Sequence, residues 1–344
     1  MNIVRDFLSG RTMKVKVGDV FSLCKEVLSG VIQGSVIGPL LFIIFVNDVP
    51  NFIHSFCKLF ADDLKLIVSP SNLSVSSFDL DNLVAWQNMW GLHFNLDKCK
   101  VLHVGKHNPM YDYALNGSSL KTVENEKDLG VVFNSKLDFT DQIEACVATA
   151  RSRTAWLLRN FISREKDTII HLYKSMIRPH LEYCPQVWAP VSKHGNWSFI
   201  MKLESVQRWV TSCVQGMENL SYRQRLENLN LTTLHERRMR GDLIEVFKTM
   251  QGYSSTVENV VMMSVRTGNL LVNERKKHVT RALQNGFFGS RVAKYWNQLP
   301  NNVKNSGSVN EFKNNLGEFR RRNCKQRPFG NFWELSEDIF QRIF

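Results

Sequence analysis

The stretch that decides the fold is residues 52–68, FIHSFCKLFADDLKLIV. Two apolar runs flank Ala61, Asp62 and Asp63, a pattern that predicts a β-hairpin with its turn at the aspartates. Adjacent carboxylates repel each other and disfavour strand structure, so the turn is either solvated or neutralised by a cation. Mg²⁺ fits the second alternative, because it takes carboxylate oxygens and commonly shares phosphates of a substrate.

Upstream of this hairpin, residues 29–50 read SGVIQGSVIGPLLFIIFVNDVP. The glycines indicate a loop, and Pro39 suits the first turn of a helix whose apolar residues continue to Val46. Downstream, residues 76–91 have apolar positions at helical spacing, and Asn116-Gly117 predicts a tight turn among short strands. The sequence therefore predicts mixed helices and strands up to Leu137.

From Asp138 onward the strand pattern disappears. Helical periodicity predicts five helices, at residues 139–161, 165–178, 197–214, 221–228 and 231–250. Tryptophans 156, 188, 197 and 209 are expected in the core of these helices rather than as stacking platforms for bases. Residues 254–280 are polar and weakly periodic, which is typical of a linker, and a last small apolar unit follows. Together these patterns predict an α+β fold.

The charge is strongly basic and unevenly distributed. Of the 344 residues, 44 are Lys or Arg and 32 are Asp or Glu, a net charge of +12. Residues 264–328 alone contain 14 basic and 3 acidic side chains, a net charge of +11. An anionic partner such as nucleic acid is therefore favoured, and the cluster Arg320–Arg322 is a candidate contact. The alternative is an ordinary solvated surface.

The remaining composition excludes several classes of protein. The seven cysteines are an odd number without a CxxC pair, which argues against a disulfide framework or a zinc ribbon and favours a reducing compartment. The apolar run Leu40–Val46 is too short to cross a bilayer, and the N-terminus does not read as a signal peptide. We therefore expect an intracellular protein, cytoplasmic or nuclear, that is neither secreted nor bound to a membrane.

Several blocks in this order resemble the reverse transcriptases of non-LTR (LINE-like) retrotransposons. They are SGVIQGSVIGPLLFIIFVNDVP, LFADDLKLI, GLHFNLDKCKVLHVGK, EKDLGVVFNSKLDF and, further on, LYKSMIRPHLEYCPQVWAP, LESVQRWVTSCVQGM and GFFGSRVAKYWNQLP. The resemblance covers nearly the whole chain. It implies an RNA-directed DNA polymerase that acts on an RNA template, a DNA primer and deoxynucleoside triphosphates, with two Mg²⁺ ions.

The resemblance also implies roles for individual residues. Asp62 would be the metal-binding carboxylate and Asp63 its neighbour, and Phe60 would lie beside the primer terminus. Further candidates are the template and nucleotide contacts Gln33, Gly34 and Ser35, the triphosphate contacts Lys98 and Lys100, and the primer grip Leu129-Gly130. For the two lysines, an ordinary surface position is the alternative.

The resemblance further implies four regions: an incomplete reverse-transcriptase palm (1–137), an antiparallel sheet with helices; a helical thumb (138–253); a linker (254–280); and a small, helical, basic C-terminal region (281–344). The chain departs from the family at two points. Ile32 replaces the usual proline, and the family's other catalytic aspartate lies upstream of the Ser29 block, where Asp6 and Asp19 do not match it. We therefore expect an N-terminally truncated polymerase that is inactive alone; the alternative is a non-catalytic or vestigial nucleic-acid-binding protein.

Overall fold

The computed structural model describes residues 2–69, 71, 73–190, 197–255, 257, 260–264, 269–271 and 287–326. The chain divides into two compact units, residues 1–124 and 125–344. The first combines helices with short strand pairs, and the second is mainly helical. The predicted α+β class is confirmed, whereas the division into four regions stays a prediction.

The first unit begins with small elements that are largely exposed. They are helix α1 (Asn2–Leu8) and the strands β1 (Thr12–Met13), β2 (Lys16–Val17), β3 (Val20–Phe21) and β4 (Lys25–Glu26). β1 pairs with β4, and β2 pairs with β3 across Gly18 and Asp19. All the residues of these four strands are exposed, so the pairs bury little apolar surface.

The middle of the first unit follows the sequence expectations. It comprises helix α2 (Gly38–Val46), a 3₁₀ turn (Val49–Phe52), strands β5 (Phe56–Phe60) and β6 (Asp63–Ile67), and helix α3 (Leu73–Trp90). Pro39 lies in the first turn of α2, where its missing N–H leaves no helical hydrogen bond unmade. Next come strands β7 (Lys100–Leu102), β8 (Ala114–Leu115), β9 (Ser118–Ser119) and β10 (Lys121–Val123). Asn116 and Gly117 form the predicted β8–β9 turn, both with positive φ.

The described strands form two-stranded pairs, of which β7–β10 is parallel and the others are antiparallel. One small core holds the first unit together: α2, α3, the β5–β6 hairpin and β8 meet around Trp86, whose indole N–H donates to Asp48 at 3.0 Å. The buried apolar members of this core are Val46, Val49, Leu83, Trp86 and Leu115.

The second unit opens with the hairpin β11 (Asn125–Asp128) and β12 (Val131–Asn134) and continues as helices. These are α4 (Thr140–Asn160), α5 (Lys166–Leu172), a π-helical turn (Tyr173–Ile177), α6 (Arg178–Leu181), α7 (Pro185–Trp188), α8 (Trp197–Ser212), α9 (Tyr222–Asn228) and α10 (Leu234–Met250). Residues 140–190 and 197–255 contain no strand, as the sequence pattern predicts. Thr233 caps α10 and accepts a hydrogen bond from the amide of Glu236.

The remaining described elements are the strand pair β13 (Met262–Met263) and β14 (Leu270–Leu271) and the helices α11 (Phe288–Asn297), α12 (Asn301–Lys304) and α13 (Val309–Gln326). They pack on α10 around Phe247, Trp296 and Phe312. Val257, Val261 and Leu270, which fall within the stretch predicted as a linker, are buried in this core.

One expectation about the tryptophans is wrong in part. Trp188 is buried as predicted, but Trp156 and Trp209 are exposed by about two fifths. Helical spacing predicts which side of a helix is apolar, but the neighbouring helices decide how much of a large side chain is covered.

Candidate functional site

The two aspartates lie at the exposed turn of the β5–β6 hairpin. Phe60, the last residue of β5, pairs with Asp63, the first residue of β6, so Ala61 and Asp62 form a two-residue turn. Both aspartates are exposed, and neither forms an ion pair with a described residue. Ala61 has a φ of 51°, a left-handed backbone conformation that residues other than glycine seldom adopt. The predicted hairpin and its turn are therefore present.

The hairpin has one covered and one open face. Leu59, Leu64 and Leu66 are half-buried against the core around Trp86, whereas Phe56, Phe60 and Ile67 on the other face are exposed. A two-stranded hairpin is marginally stable by itself, so this contact with α3 fixes the turn. Phe60, Asp62 and Asp63 are thus brought together at one end of a ribbon that is anchored on one side.

Asp79 of α3 fixes the base of the same hairpin. Its buried carboxylate accepts hydrogen bonds from the backbone N–H groups of His54 and Ser55, each at 2.8 Å, immediately before β5. Burial raises the pKa of Asp79, but the hydrogen bonds from His54 and Ser55 outweigh this and lower the pKa below its ordinary value. The sequence reasoning missed this residue. Its signal is an aspartate four and seven residues before Leu83 and Trp86, on the apolar face of a helix.

Gln33, Gly34 and Ser35 form the turn that precedes α2. Gln33 and Gly34 are exposed, and Ser35 is half-buried. The Ser35 hydroxyl donates to the carbonyl of Ile32 at 2.6 Å and accepts from the amide of Gly38 at 3.1 Å. A Cβ at Gly38 would lie only 2.6 Å from that hydroxyl, so the tight approach requires glycine. The Ser35 side chain therefore shapes the loop, and the exposed backbone at Gly34 is open to a ligand.

Lys98 and Lys100 differ in their surroundings. Lys98 is exposed in the turn before β7, while Lys100 is the half-buried first residue of that strand. The Lys100 ammonium group donates to the carbonyl of Asp97 at 2.6 Å. Cys99, between the two lysines, packs against the same core as the hairpin. The elements that carry Gln33–Ser35, the aspartates and the lysines are thus attached to one core.

Leu129 and Gly130 lie in the second unit, where they form the two-residue turn between β11 and β12. Both have positive φ, 44° for Leu129 and 85° for Gly130, as in a type I′ turn. The turn contacts Tyr183, whose hydroxyl donates to the Leu129 carbonyl at 2.9 Å. Tyr183 is a second residue that sequence reasoning missed, and no pattern in the sequence connects it with position 129.

The residues at the β5–β6 turn fit part of a magnesium site. Two adjacent, solvated carboxylates supply the oxygen ligands that Mg²⁺ prefers, and the ion usually keeps several water ligands. Among the residues that the structure describes, no group of three or more His, Cys, Asp or Glu side chains could hold a metal ion. The turn therefore offers two ligands for one ion, and a two-ion site needs a further carboxylate.

The basic segment 264–328 lies partly outside the described residues. In the part that is described, Arg320 pairs with Glu236 at 2.9 Å and Arg291 with Asp242 at 3.0 Å. Those two arginines link the C-terminal helices to α10. Arg321 and Arg322 are exposed, so part of the charge cluster is available to an anionic partner. No helix in the described ranges combines the length and the apolar character needed to cross a bilayer.

One family model matches a part of the chain that begins in the first unit and ends in the second. This model, described as reverse transcriptase (RNA-dependent DNA polymerase), matches residues 11–139. This range includes Asp62 and Asp63, the turn at Gln33–Ser35 and the turn at Leu129-Gly130. No solved structure matches the chain significantly.

Curated relatives extend this similarity. The RNA-directed DNA polymerase from mobile element jockey of Drosophila melanogaster is 27% identical over 225 residues, 60% of this chain and 24% of the relative. The jockey polymerase of Drosophila funebris is 29% identical over 203 residues, 54% of this chain and 22% of the relative. A probable RNA-directed DNA polymerase from transposon BS is 26% identical over 255 residues, 68% of this chain and 28% of the relative. The chain spans about a quarter of the length of these relatives. The chain is thus similar to the RNA-directed DNA polymerases of mobile elements, and its residues 11–139 match the reverse transcriptase family.

Proposed function

We propose that the first unit contributes part of the active site of an RNA-directed DNA polymerase, which copies an RNA template by adding deoxynucleotides to a DNA primer. The observation that carries the proposal is the exposed Asp62–Asp63 turn within the segment that matches the reverse transcriptase family. Such a reaction needs carboxylates that bring a metal ion to the phosphates, and an exposed turn leaves room for both.

Each element has a role in this proposal. Asp62 and Asp63 would hold Mg²⁺, which when bound would neutralise charge on the reacting phosphate oxygens. Phe60, the cross-strand partner of Asp63, presents an exposed ring beside them for the primer end. The exposed backbone of Gln33 and Gly34 would contact the template and the nucleotide, and Lys98 and Lys100 would face the triphosphate. Leu129 and Gly130 would grip the primer.

We further propose that these 344 residues, taken by themselves, bind nucleic acid but do not extend a primer. Catalysis with two ions requires carboxylates from more than one strand, and Asp62 and Asp63 supply one turn. Binding depends mainly on counterion release from phosphates, which a net charge of +12 favours. A non-catalytic nucleic-acid-binding protein is the second candidate function, and the same charge favours it.

Metal binding at the turn separates the two candidates. Mn²⁺, a paramagnetic substitute for Mg²⁺, should broaden the amide signals of Asp62 and Asp63 in the full chain, and Asp62→Asn should abolish this. Asp81→Asn, an exposed carboxylate on α3 of the same unit, is the matched control and should leave the broadening unchanged. Duplex binding without any metal at the turn would favour the non-catalytic candidate.

Primer extension and duplex binding test the rest. The chain should bind an RNA–DNA duplex with an affinity that falls steeply with salt, and it should extend a primer no faster than the Asp62→Ala variant. Extension well above that variant would show that another carboxylate, Asp6 or Asp19 first, completes the site. Absent or salt-independent binding would contradict both functions.

A further inference from the structure

The turn at Leu129-Gly130 adopts an unusual backbone for its sequence. Positive φ at both central positions is easy for Gly130 but costs energy for Leu129, whose φ is 44°. Asp128 and Val131 pair across the turn, so the strand register forces these two residues into a two-residue loop. The Leu129 side chain is almost half exposed. A strained residue at an exposed loop persists where its surroundings hold it in place.

Two contacts of Tyr183 keep the Leu129-Gly130 loop in this conformation. Its hydroxyl donates a hydrogen bond of 2.9 Å to the Leu129 carbonyl. Its ring covers Gly130 so closely that a Cβ there would lie 3.0 Å from Cε1 of the tyrosine. The loop is therefore bound at one residue and covered at the next by the same side chain, which itself remains half exposed.

The segment that carries Tyr183 is fixed to the helices of the second unit. The buried Trp188 donates from its indole N–H to the Tyr183 carbonyl at 2.7 Å. The preceding residue, Glu182, forms a bidentate ion pair with Arg237 of α10 and also contacts Arg178. Cys184, the next residue, has a φ of 47°. Contacts on both sides thus leave Tyr183 little freedom to move away from the loop.

We propose that Tyr183 is a positioning residue, which holds the Leu129-Gly130 loop in the conformation that meets the primer. The inference rests on the proposed function for its link to nucleic acid, whereas the hold on the loop rests on the contacts of Tyr183 alone. A loop held in its binding conformation before the ligand arrives loses less conformational freedom on binding, so the tyrosine raises primer affinity without touching the reacting atoms.

Three variants of the full chain separate the two contacts. Tyr183→Phe removes the hydroxyl and keeps the ring, Tyr183→Ala removes both, and Gly130→Ala places a methyl group against the ring. Tyr253→Phe is the matched control, because Tyr253 is an exposed tyrosine of the same unit. Loss of one hydrogen bond should speed hydrogen exchange at the β11–β12 amides by about two- to tenfold in Tyr183→Phe. Tyr183→Ala and Gly130→Ala should exceed this, and Tyr253→Phe should match the wild type.

Affinity then tests the role in binding. A DNA primer with a recessed 3′ end on an RNA template should bind Tyr183→Phe about two- to tenfold more weakly than wild type, whereas single-stranded RNA of equal length should bind both equally. Unchanged hydrogen exchange in Tyr183→Phe would overturn the hold on the loop. Faster exchange with unchanged primer affinity would overturn the positioning role. A wild type that does not distinguish the primed duplex from single-stranded RNA would defeat the proposed primer function, while hydrogen exchange would still report on the loop.

Discussion

The Asp62–Asp63 turn lies in a unit whose described core contains five buried apolar residues, whereas the second unit has two cores with 18 and 16. In the first unit, α2 leaves Leu40, Ile43 and Ile44 exposed, and the pairs β1–β4 and β2–β3 bury almost nothing. In the second unit, helices pack on both sides of α10. The two candidate metal ligands, Asp62 and Asp63, thus lie in the less densely packed unit.

The two units also treat buried carboxylates differently. In the first, backbone N–H groups surround Asp79 and lower its pKa, so the carboxylate is ionised. In the second, burial raises the pKa of Glu204, even though Tyr222 donates to it at 2.5 Å and the amide of Leu234 donates as well. In the first unit the charged Asp79 carboxylate fixes the segment before β5. In the second unit Glu204 is tolerated inside a helical core because hydrogen-bond donors surround it.

Local opening should occur where the packing is sparse. Segments with few buried apolar contacts open at low free energy, and densely packed helices open near the global limit. We therefore expect the first unit to unfold before the second when denaturant is added.

Replacing the central tryptophan of the first unit should accentuate that order, because this unit should unfold while the second stays folded. Trp86 is 1% exposed, and Trp86→Ala should cost about 3–5 kcal/mol. Trp90, one turn later on α3 and 45% exposed, is the matched control, and Trp90→Ala should cost far less. Hydrogen exchange should show loss of protection in residues 2–124 alone for Trp86→Ala. Equal loss of protection in α4 and α8 would mean that the units do not unfold separately.

The second unit should lose stability in acid through His235. Burial, and then the charge of Arg238, lowers the pKa of His235 to about 3, so the folded imidazole is neutral. Because the unfolded pKa is higher, stability is fully present above about pH 6.5 and is lost as the pH falls, by up to about 1.4 kcal/mol per pH unit. The difference between wild type and His235→Gln in urea unfolding of the second unit should grow smaller from pH 7 to pH 4.5. A constant difference would contradict a neutral, partly buried His235.

Asp79 should support the first unit more modestly. Asp79→Asn replaces one acceptor oxygen by a donor, so the N–H of His54 or Ser55 loses its partner, at a cost of about 1–3 kcal/mol. Asp81→Asn, on the exposed side of the same helix, should change the unfolding free energy by less than about 0.5 kcal/mol. Because the folded pKa of Asp79 is lowered, its contribution is present above the unfolded pKa and is lost as the pH falls through the folded value. Equal unfolding midpoints for the two variants would contradict the anchoring role.

Local patterns predicted the local structure well. The β5–β6 hairpin, the Asn116-Gly117 turn, Pro39 at the start of α2 and the absence of strands from residues 140–190 and 197–255 all follow from spacing and turn residues. The extent of burial did not follow, because it depends on partners far away in sequence. Trp156 and Trp209 look like core residues along their helices, yet their outer faces remain uncovered.

The candidate site shows the same limit. The aspartates at the turn can be recognised from the sequence, since adjacent like charges between apolar strands are unusual. The residues that fix the site do not: Asp79 acts 24 or 25 positions from its partners, and Tyr183 lies 54 positions from Leu129. Such hydrogen bonds join elements whose arrangement arises only when the chain packs.

The smallest expected effect lies at the carboxylate turn itself. Ala61 has a φ of 51°, which costs an L-residue about 1–2 kcal/mol, while glycine adds about 0.5–1 kcal/mol of unfolded-state freedom. Ala61→Gly should therefore stabilise the hairpin by about 0.5 kcal/mol. Ala114→Gly, at an exposed strand position without positive φ, is the control and should destabilise its own hairpin. Hydrogen exchange of the β5–β6 and β8–β9 amides measures both. If the left-handed turn also holds Asp62 beside Asp63, the more stable Ala61→Gly hairpin should bind Mn²⁺ at least as tightly as the wild type. Destabilisation by both substitutions would show that Ala61 is not strained.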